Sequence, residues 1–433
     1  MNVTGMQDRM RSVVLVVLLP AVAGAQPAPA GPAAEPPPVP VETPAVVTAP
    51  AAPAPKPDKP AVTARYDGGL VLASEDGQYA VKLGFKDQVR FVSTRSLDDG
   101  AEFESALSIP RARLGVDGHF FGEDNRFKLE AGLGDNGSFG FLKDFYLEKR
   151  VPGSGVFVRA GQWKRPFNRA ELVSDFASEF NERSIQDQLA GGGRSQGIAL
   201  HNGYEKSPAG IEWAVGVFNT FNGGGDRPSL STACTSDPVS GAIDCSTIGP
   251  TTVPSDFGPT LVARIGFNSP DMKGYSEGDL EGGPLRYAVG ASYKIDLANL
   301  AEGDEDSWAD NTSHGVELDT MIKAMGFSLN AGVVMMKIKD ADVHYGVFAQ
   351  PGMMVIPKKA QVAARFAMVT LTQATPTGAV DRNEIEARAA FSYFFHGHSW
   401  KLASDAGFLV LTGDEPTEDK PDLQLRLMWQ MSI

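Results

Sequence analysis

From Tyr79 to Phe91 the chain reads YAVKLGFKDQVRF. Tyr79, Val81, Leu83, Phe85, Val89 and Phe91 share one register, while Lys82, Lys86, Gln88 and Arg90 share the other. Side chains of a strand alternate between two faces, so this pattern predicts a strand with one apolar and one basic side. The alternation recurs downstream. Ala112, Leu114 and Val116 oppose Arg111, Arg113 and Asp117, and Phe127 and Leu129 oppose Arg126, Lys128 and Glu130. Leu261, Ala263, Ile265 and Phe267 oppose Arg264, and Leu285, Tyr287, Val289 and Tyr293 oppose Arg286, Ser292 and Lys294. The last stretch sets Leu423, Leu425, Leu427, Trp429, Met431 and Ile433 against Gln424, Arg426, Gln430 and Ser432.

Roughly sixteen such runs lie between 78–93 and 421–432, with little sustained helical periodicity among them. Connections 164–195, 220–258, 296–313 and 372–382 read as long; 121–125, 151–154, 325–326 and 396–398 read as brief. Two more, 269–283 and 351–359, exceed what a tidy alternation would give. An even strand count, period-2 amphipathicity and alternating loop lengths are the marks of a transmembrane β-barrel. A soluble sandwich also alternates, with its polar face in water. Sixteen compatible strands, and a terminal strand with an apolar face carrying Trp429, favour the barrel. The expected fold is therefore all-β: a transmembrane antiparallel β-barrel of about 16 strands. Odd positions of 79–91 should then meet lipid, and Lys82, Lys86, Gln88 and Arg90 a water-filled lumen. Asp87 falls on the outer parity. A bulge or a place beyond the hydrocarbon is needed there, because charge at mid-bilayer costs about 2–4 kcal/mol.

The remaining sequence places this barrel. Arg9 and Arg11 precede the apolar run SVVLVVLLPAVAGA, and Ala23-Gly24-Ala25 supplies a cleavage pattern, so 1–25 reads as a secretory signal peptide. Residues 26–63 hold 13 of the chain's 30 prolines and read as an extended, disordered spacer, an inert tether or an arm toward the cell wall. The barrel domain is expected over 64–433. Cys234 and Cys245, in a polar stretch, suggest one loop disulfide in an oxidising compartment, with two idle thiols as the alternative. A net charge of −14 argues against a nucleic-acid partner. No metalloprotease pattern or nucleotide-binding glycine loop occurs, and His396-Gly397-His398 reads as a turn, so neither enzyme, cofactor nor metal is expected.

The stretch VRAGQWKRPFNRAELVSDFASEFNERS resembles the phosphate-selective porin O and P family. Gly161, Lys164, Pro166 and Phe167 match its Gly-x-x-Lys-x-Pro-Phe pattern, and Glu182, Arg183 and Ser184 its Glu-Arg-Ser. Pro357, Lys358 and Arg365 match a later region, and Gly397, His398 and Lys401 a hairpin. Gln361 stands where an acid is common, and the chain ends in Ile433 rather than an aromatic. The resemblance implies an outer-membrane porin, a homotrimer in lipid, passing anions such as phosphate. It also implies a third loop folded into the barrel, with Lys164, Arg165, Arg183 and Arg194 as constriction candidates and Asp144 as an ordering carboxylate. Within that loop, Leu172, Phe176 and Phe180 are spaced by four, a helical pattern.

By parity alone, Lys82, Lys86, Arg90, Arg111, Arg113, Lys128, Arg264, Arg286, Arg365 and Arg388 face the lumen as candidate anion-interacting residues. Rings of Arg and Lys favour anions, and guanidinium suits phosphate oxygens. The competing role is structural, with Asp117, Glu130, Glu317, Asp319 and Glu386 available to pair with them. Much of the acid clusters in loops, at 301–310 and 413–422. The reading is a passive channel for small anions, phosphate or polyphosphate, with a general or sugar-type diffusion porin and an envelope-anchoring barrel as alternatives.

Overall fold

The computed structural model describes residues 62–97, 100–133, 141–191, 193–219, 231–236, 243–248, 259–297, 312–337, 343–375, 378–413 and 420–433. The signal peptide, nearly all of the spacer and the acidic stretch 301–310 lie outside them. A hairpin of β1 (Val62–Tyr66) and β2 (Leu70–Ser74) comes first, so the last two spacer residues open a strand. The wall begins with β3 (Ala80–Ser96), β4 (Glu104–His119), β5 (Asn125–Gly132), β6 (Phe141–Arg150), β7 (Phe157–Lys164), β8 (Arg194–His201) and β9 (Gly210–Asn219). In the next connection β10 (Ser231–Ser236) and β11 (Ile243–Ile248) form a separate ribbon. Then follow β12 (Pro259–Asn268), β13 (Arg286–Asp296), β14 (Ser313–Ala324), β15 (Phe327–Lys337) and β16 (Val343–Ile356). The wall ends with β17 (Ala360–Thr375), β18 (Gly378–His396), β19 (Trp400–Gly413) and β20 (Lys420–Ser432).

Successive wall strands pair antiparallel, β9 pairs with β12, and β20 pairs back onto β3. This is a closed 16-strand barrel, and each run expected from periodicity is one of its strands. The faces sort as the alternation requires. On β12, Ile265 is 60% exposed and its neighbour Arg264 2%. On β20, Leu425, Leu427, Trp429 and Met431 are exposed while Arg426 and Gln430 are buried. Asp87 keeps the outer parity, opposite Met431 and close to the end of the wall, and the β3–β4 register shifts just beyond it, between Gln88 and Arg90.

Two expected connections are instead strand. β16 continues through Pro351 and Gly352, which face Leu329 and Ala363, and only 357–359 link it to β17. β17 and β18 pair up to Thr375 opposite Gly378. Around 372–382 the sequence is polar in both registers, so the amphipathic signal fades while the backbone ladder continues. The Cys234 and Cys245 backbones face each other across the β10–β11 ribbon, but their side chains, and with them the disulfide, lie outside what is described.

Not all inward side chains are polar. Ala199, Phe218, Val262, Val334 and Met336 cluster with Trp163, Phe167 and Ala190, and Phe348, Ala367 and Val369 cluster with Ile185. Phe167, Ile185 and Ala190 belong to the connection 165–193, which the clusters hold against β7–β9, β12 and β15–β17.

Candidate constriction and lumen charges

The connection 165–193 is built of single turns. A turn of helix, α1 (Arg169–Leu172), is capped by Asn168, whose side chain accepts from the Ala170 N–H. A 3-10 turn covers Asp175–Ala177, and a second helix, α2 (Ile185–Ala190), ends on Gly191 in the left-handed conformation at φ 55. The continuous helix suggested by Leu172, Phe176 and Phe180 is absent. Ser174 accepts from the Phe176 N–H, and Ser178 donates to the Asp175 and Phe180 carbonyls, which ties the backbone into turns. Phe176 and Phe180 are nonetheless buried, and no described residue between 161 and 190 is exposed.

Lys164 and Arg194 form the last β7–β8 pair and flank the base of the connection. The Lys164 ammonium donates to the Glu171 and Val173 carbonyls, the latter at 3.1 Å. Arg194 donates to Asp144 at 2.7 Å, and Lys128 reaches the other oxygen of the same carboxylate at 2.6 Å. Arg165 donates to the Gly191 carbonyl at 2.7 Å. Arg183 binds Glu171 at 2.8 Å and Asp175 at 2.7 Å, and also donates to the Ala170 carbonyl. Most of these contacts are internal to the connection and hold its shape.

Its backbone is in turn hydrogen-bonded by inward side chains of distant strands. Gln430 donates to the Phe176 carbonyl at 2.8 Å, Lys401 to Ser178 at 2.7 Å, and Gln88 to Asp175 at 3.3 Å. Glu317, Asp405 and Glu386 accept from the N–H groups of Arg169, Asn181 and Ile185 at 2.7, 3.0 and 3.1 Å. Glu179 accepts from Ser328 at 2.6 Å, from Gln350 at 2.7 Å and from Gln361. A second long connection, 269–285, joins strands at the opposite end of the wall yet meets the first. Glu277 donates its N–H to the Ala177 carbonyl at 3.0 Å and accepts the Glu179 N–H at 2.8 Å.

The ten parity-selected cations separate into two groups. Arg113, Arg264, Arg286, Arg365 and Arg388 are buried in ion pairs. Their partners include Asp175 at 2.8 Å, Asp319 at 2.7 Å, Asp279 at 2.5 Å, Glu386 at 2.5 Å and Glu386 again at 2.9 Å, in that order. Burying a charge is tolerated when it is paired and hydrogen-bonded, so these five brace the wall. Lys86 and Lys128 keep water contact, their side chains 39% and 31% exposed. Arg90 and Arg111 are partly covered, and between them sits Glu182. Arg90 binds one carboxylate oxygen and Arg111 the other at 2.7 Å. Lys82 is half-buried in the inward register of β3, opposite Asp117.

Glu182 and Asp175 carry their charge despite being covered. Burial alone would push the Glu182 carboxyl up, but Arg111 and Arg90 hold it below the ordinary carboxylate range. Asp175 is held well below it against the same burial cost, by Arg111, Arg183 and Arg113. Glu179 goes the other way. Burial first and the adjacent Glu277 second push its carboxyl up to about 7. Parity could not have found these acids, because they lie on connections. Glu182 was visible only as part of the Glu-Arg-Ser stretch, and Glu277 only as a residue of an oddly long link.

A closed wall of this construction, whose inward side chains bond to the connection 165–193, has counterparts among known proteins. Residues 81–261 match the phosphate-selective porin O and P family. That span holds β3–β9, the connection 165–193 and the Gly161 to Ser184 motifs. No curated protein matches the chain. Among solved structures, OprB of Pseudomonas putida in its high-pH form is similar at 12% identity and TM-score 0.51, covering 82% of this chain and 94% of that one. The outer membrane channel DcaP of Acinetobacter baumannii is similar at 13% identity and TM-score 0.51, covering 83% and 99%. At such identities the shared property is the fold. The family match over 81–261 and the closed barrel support an outer-membrane channel.

Proposed function

We propose that this porin passes small anions, phosphate and polyphosphate foremost, through a water-filled lumen narrowed by the connection 165–193, without turnover and as a homotrimer. The observation that carries the reading is the placement of the parity-selected cations that keep some contact with water. Lys86, Arg90, Arg111 and Lys128 all lie on three adjacent strands, β3 to β5. Elsewhere around the wall, inward apolar side chains of β8, β9, β12 and β15 to β17 pack against the connection. A passage left between them is lined on one side by these cations and by the acids they pair with, Glu130, Asp144 and Glu182. Cations placed along a narrow, low-dielectric path raise the local concentration of anions whatever the net charge of the chain.

The test is a planar-bilayer measurement of reversal potential across a potassium chloride gradient, repeated with added phosphate. Replacing Lys86 and Lys128 together by Ala should move the reversal potential toward the cation side and weaken phosphate inhibition of chloride current. If the double variant matched the wild type in both, the β3–β5 face would not be the selective wall.

A further inference from the structure

Resting on the anion-channel reading, we infer that Glu182 is its specificity-determining residue: a carboxylate tethered in the seat between Arg90 and Arg111, which a passing oxyanion must displace. Three observations meet there. First, the two Glu182 oxygens are divided between two guanidiniums, Oε1 taken by Arg90 and Oε2 by Arg111 at 2.7 Å. That is the arrangement in which two arginines hold a phosphate or carboxylate through paired, charge-assisted hydrogen bonds. Glu182 occupies an oxyanion receptor with an oxyanion of the protein's own.

Second, the Arg111 half of the receptor is held in place without Glu182. Arg111 also donates to Gln88 at 3.0 Å and lies 3.3 Å from Asp175, and Gln88 is fixed by Gln430 at 2.8 Å. The Glu182 backbone is anchored separately, its carbonyl accepting from Arg365 at 2.9 Å. Its side chain can therefore swing away while Arg111 and the connection stay put. Third, Glu182 is the acid of this cluster that meets water. Its side chain is 31% exposed, against 5% for Asp175 and 10% for Glu171. The carboxylate thus acts as a built-in competitor. A solute with one negative charge exchanges poorly with it, whereas phosphate or a polyphosphate segment, with more oxygens and charge, exchanges well.

The experiment compares wild type, Glu182→Gln, Glu182→Asp and Glu205→Gln, all as the full-length purified channel in planar bilayers. Glu205 serves as the control acid. It pairs with Arg159 at 2.8 Å and is 40% exposed, away from the Arg90–Arg111 seat. Phosphate is titrated against a constant chloride current. Glu182→Gln should bring half-inhibition at about tenfold lower phosphate, the change produced by ~1.4 kcal/mol of lost competition. Glu182→Asp, which keeps the charge but shortens the arm, should fall between, and Glu205→Gln should stay within about twofold of wild type, less than half that energy. Equal phosphate sensitivity in wild type and Glu182→Gln, or an equal gain in Glu205→Gln, overturns the inference. Should Glu182→Gln fail to fold, as judged by heat-modifiable mobility in gels, Glu182→Asp decides alone: wild-type sensitivity in it counts against the seat. Wild-type reversal potential judges the anion-channel reading separately, since a cation-preferring wild type refutes that reading whatever the variants do.

Discussion

Arg264 and Lys86 came from the same parity argument, yet they do different work. Arg264 is fully buried and bonded to Asp319, Ser292 and Tyr275, with Glu212 and Glu317 close by. Removing it strands those acids without their counter-charge, which costs on the order of 3–5 kcal/mol. Arg264→Ala should therefore lower the heat or urea resistance of the detergent-solubilised barrel, while Lys86→Ala leaves it unchanged and alters only ion preference. A stable Arg264→Ala channel would count against the bracing role. Alternation told that both side chains point inward, because a strand has only two faces. It could not tell what each would meet there. That depends on Tyr275, in the link directly after β12, and on the connection 165–193, which approaches from far along the chain. One signal was present: β15 reads VVMM at 333–336, apolar in both registers, and an inward apolar residue needs a cover.

At the level of elements, the connection 165–193 is latched to the connection 269–285 by Glu179 and Glu277, whose carboxylates share the Gln350 amide at 2.7 and 2.9 Å. Ser328, Asn330 and Gln361 face Glu179 from β15 and β17, Lys323 comes from β14, Lys401 from β19, and His398 from the turn before it. The folded-state pKa of Glu179 is raised to about 7, so its contribution to the latch is complete below the free-glutamate range and is lost as pH rises through 7. Open-channel noise and closing events should thus increase between pH 6 and pH 8, and Glu277→Gln should flatten the dependence; a flat wild-type profile would discount the latch. Gly352 faces the same point, and a Cβ there would collide with the Glu179 carboxylate and the Ser328 hydroxyl. Gly352→Ala should reproduce the high-pH behaviour at pH 6. The location of the connection was legible through the Lys164 to Ser184 motifs. Its internal form was not, since Ser174 and Ser178 side chains compete with the helix that the apolar spacing suggests.

For the whole molecule, closure depends on the pairing of β20 with β3, and sixteen strands were countable because each carries its own amphipathic signal. The β1–β2 hairpin escaped that count, although Asp67-Gly68-Gly69 between two short alternating runs is a turn signal. Channel current should be indifferent to removal of 26–61, which precede the first described strand, and loss of conductance would give the spacer a part in the pore. Removal of 62–74 is a different matter. The pairing of β3 with β20 stops at Phe85 and Ile433, and β2 takes over the same lane from Leu83 to Ala80. Without β2, that short length of β3 would present bare N–H and C=O groups at the rim, an adhesive seam along which one barrel could add to another. The hairpin is thus a selvedge, and a trimmed chain should run as ladders of higher aggregates where the intact one stays dispersed.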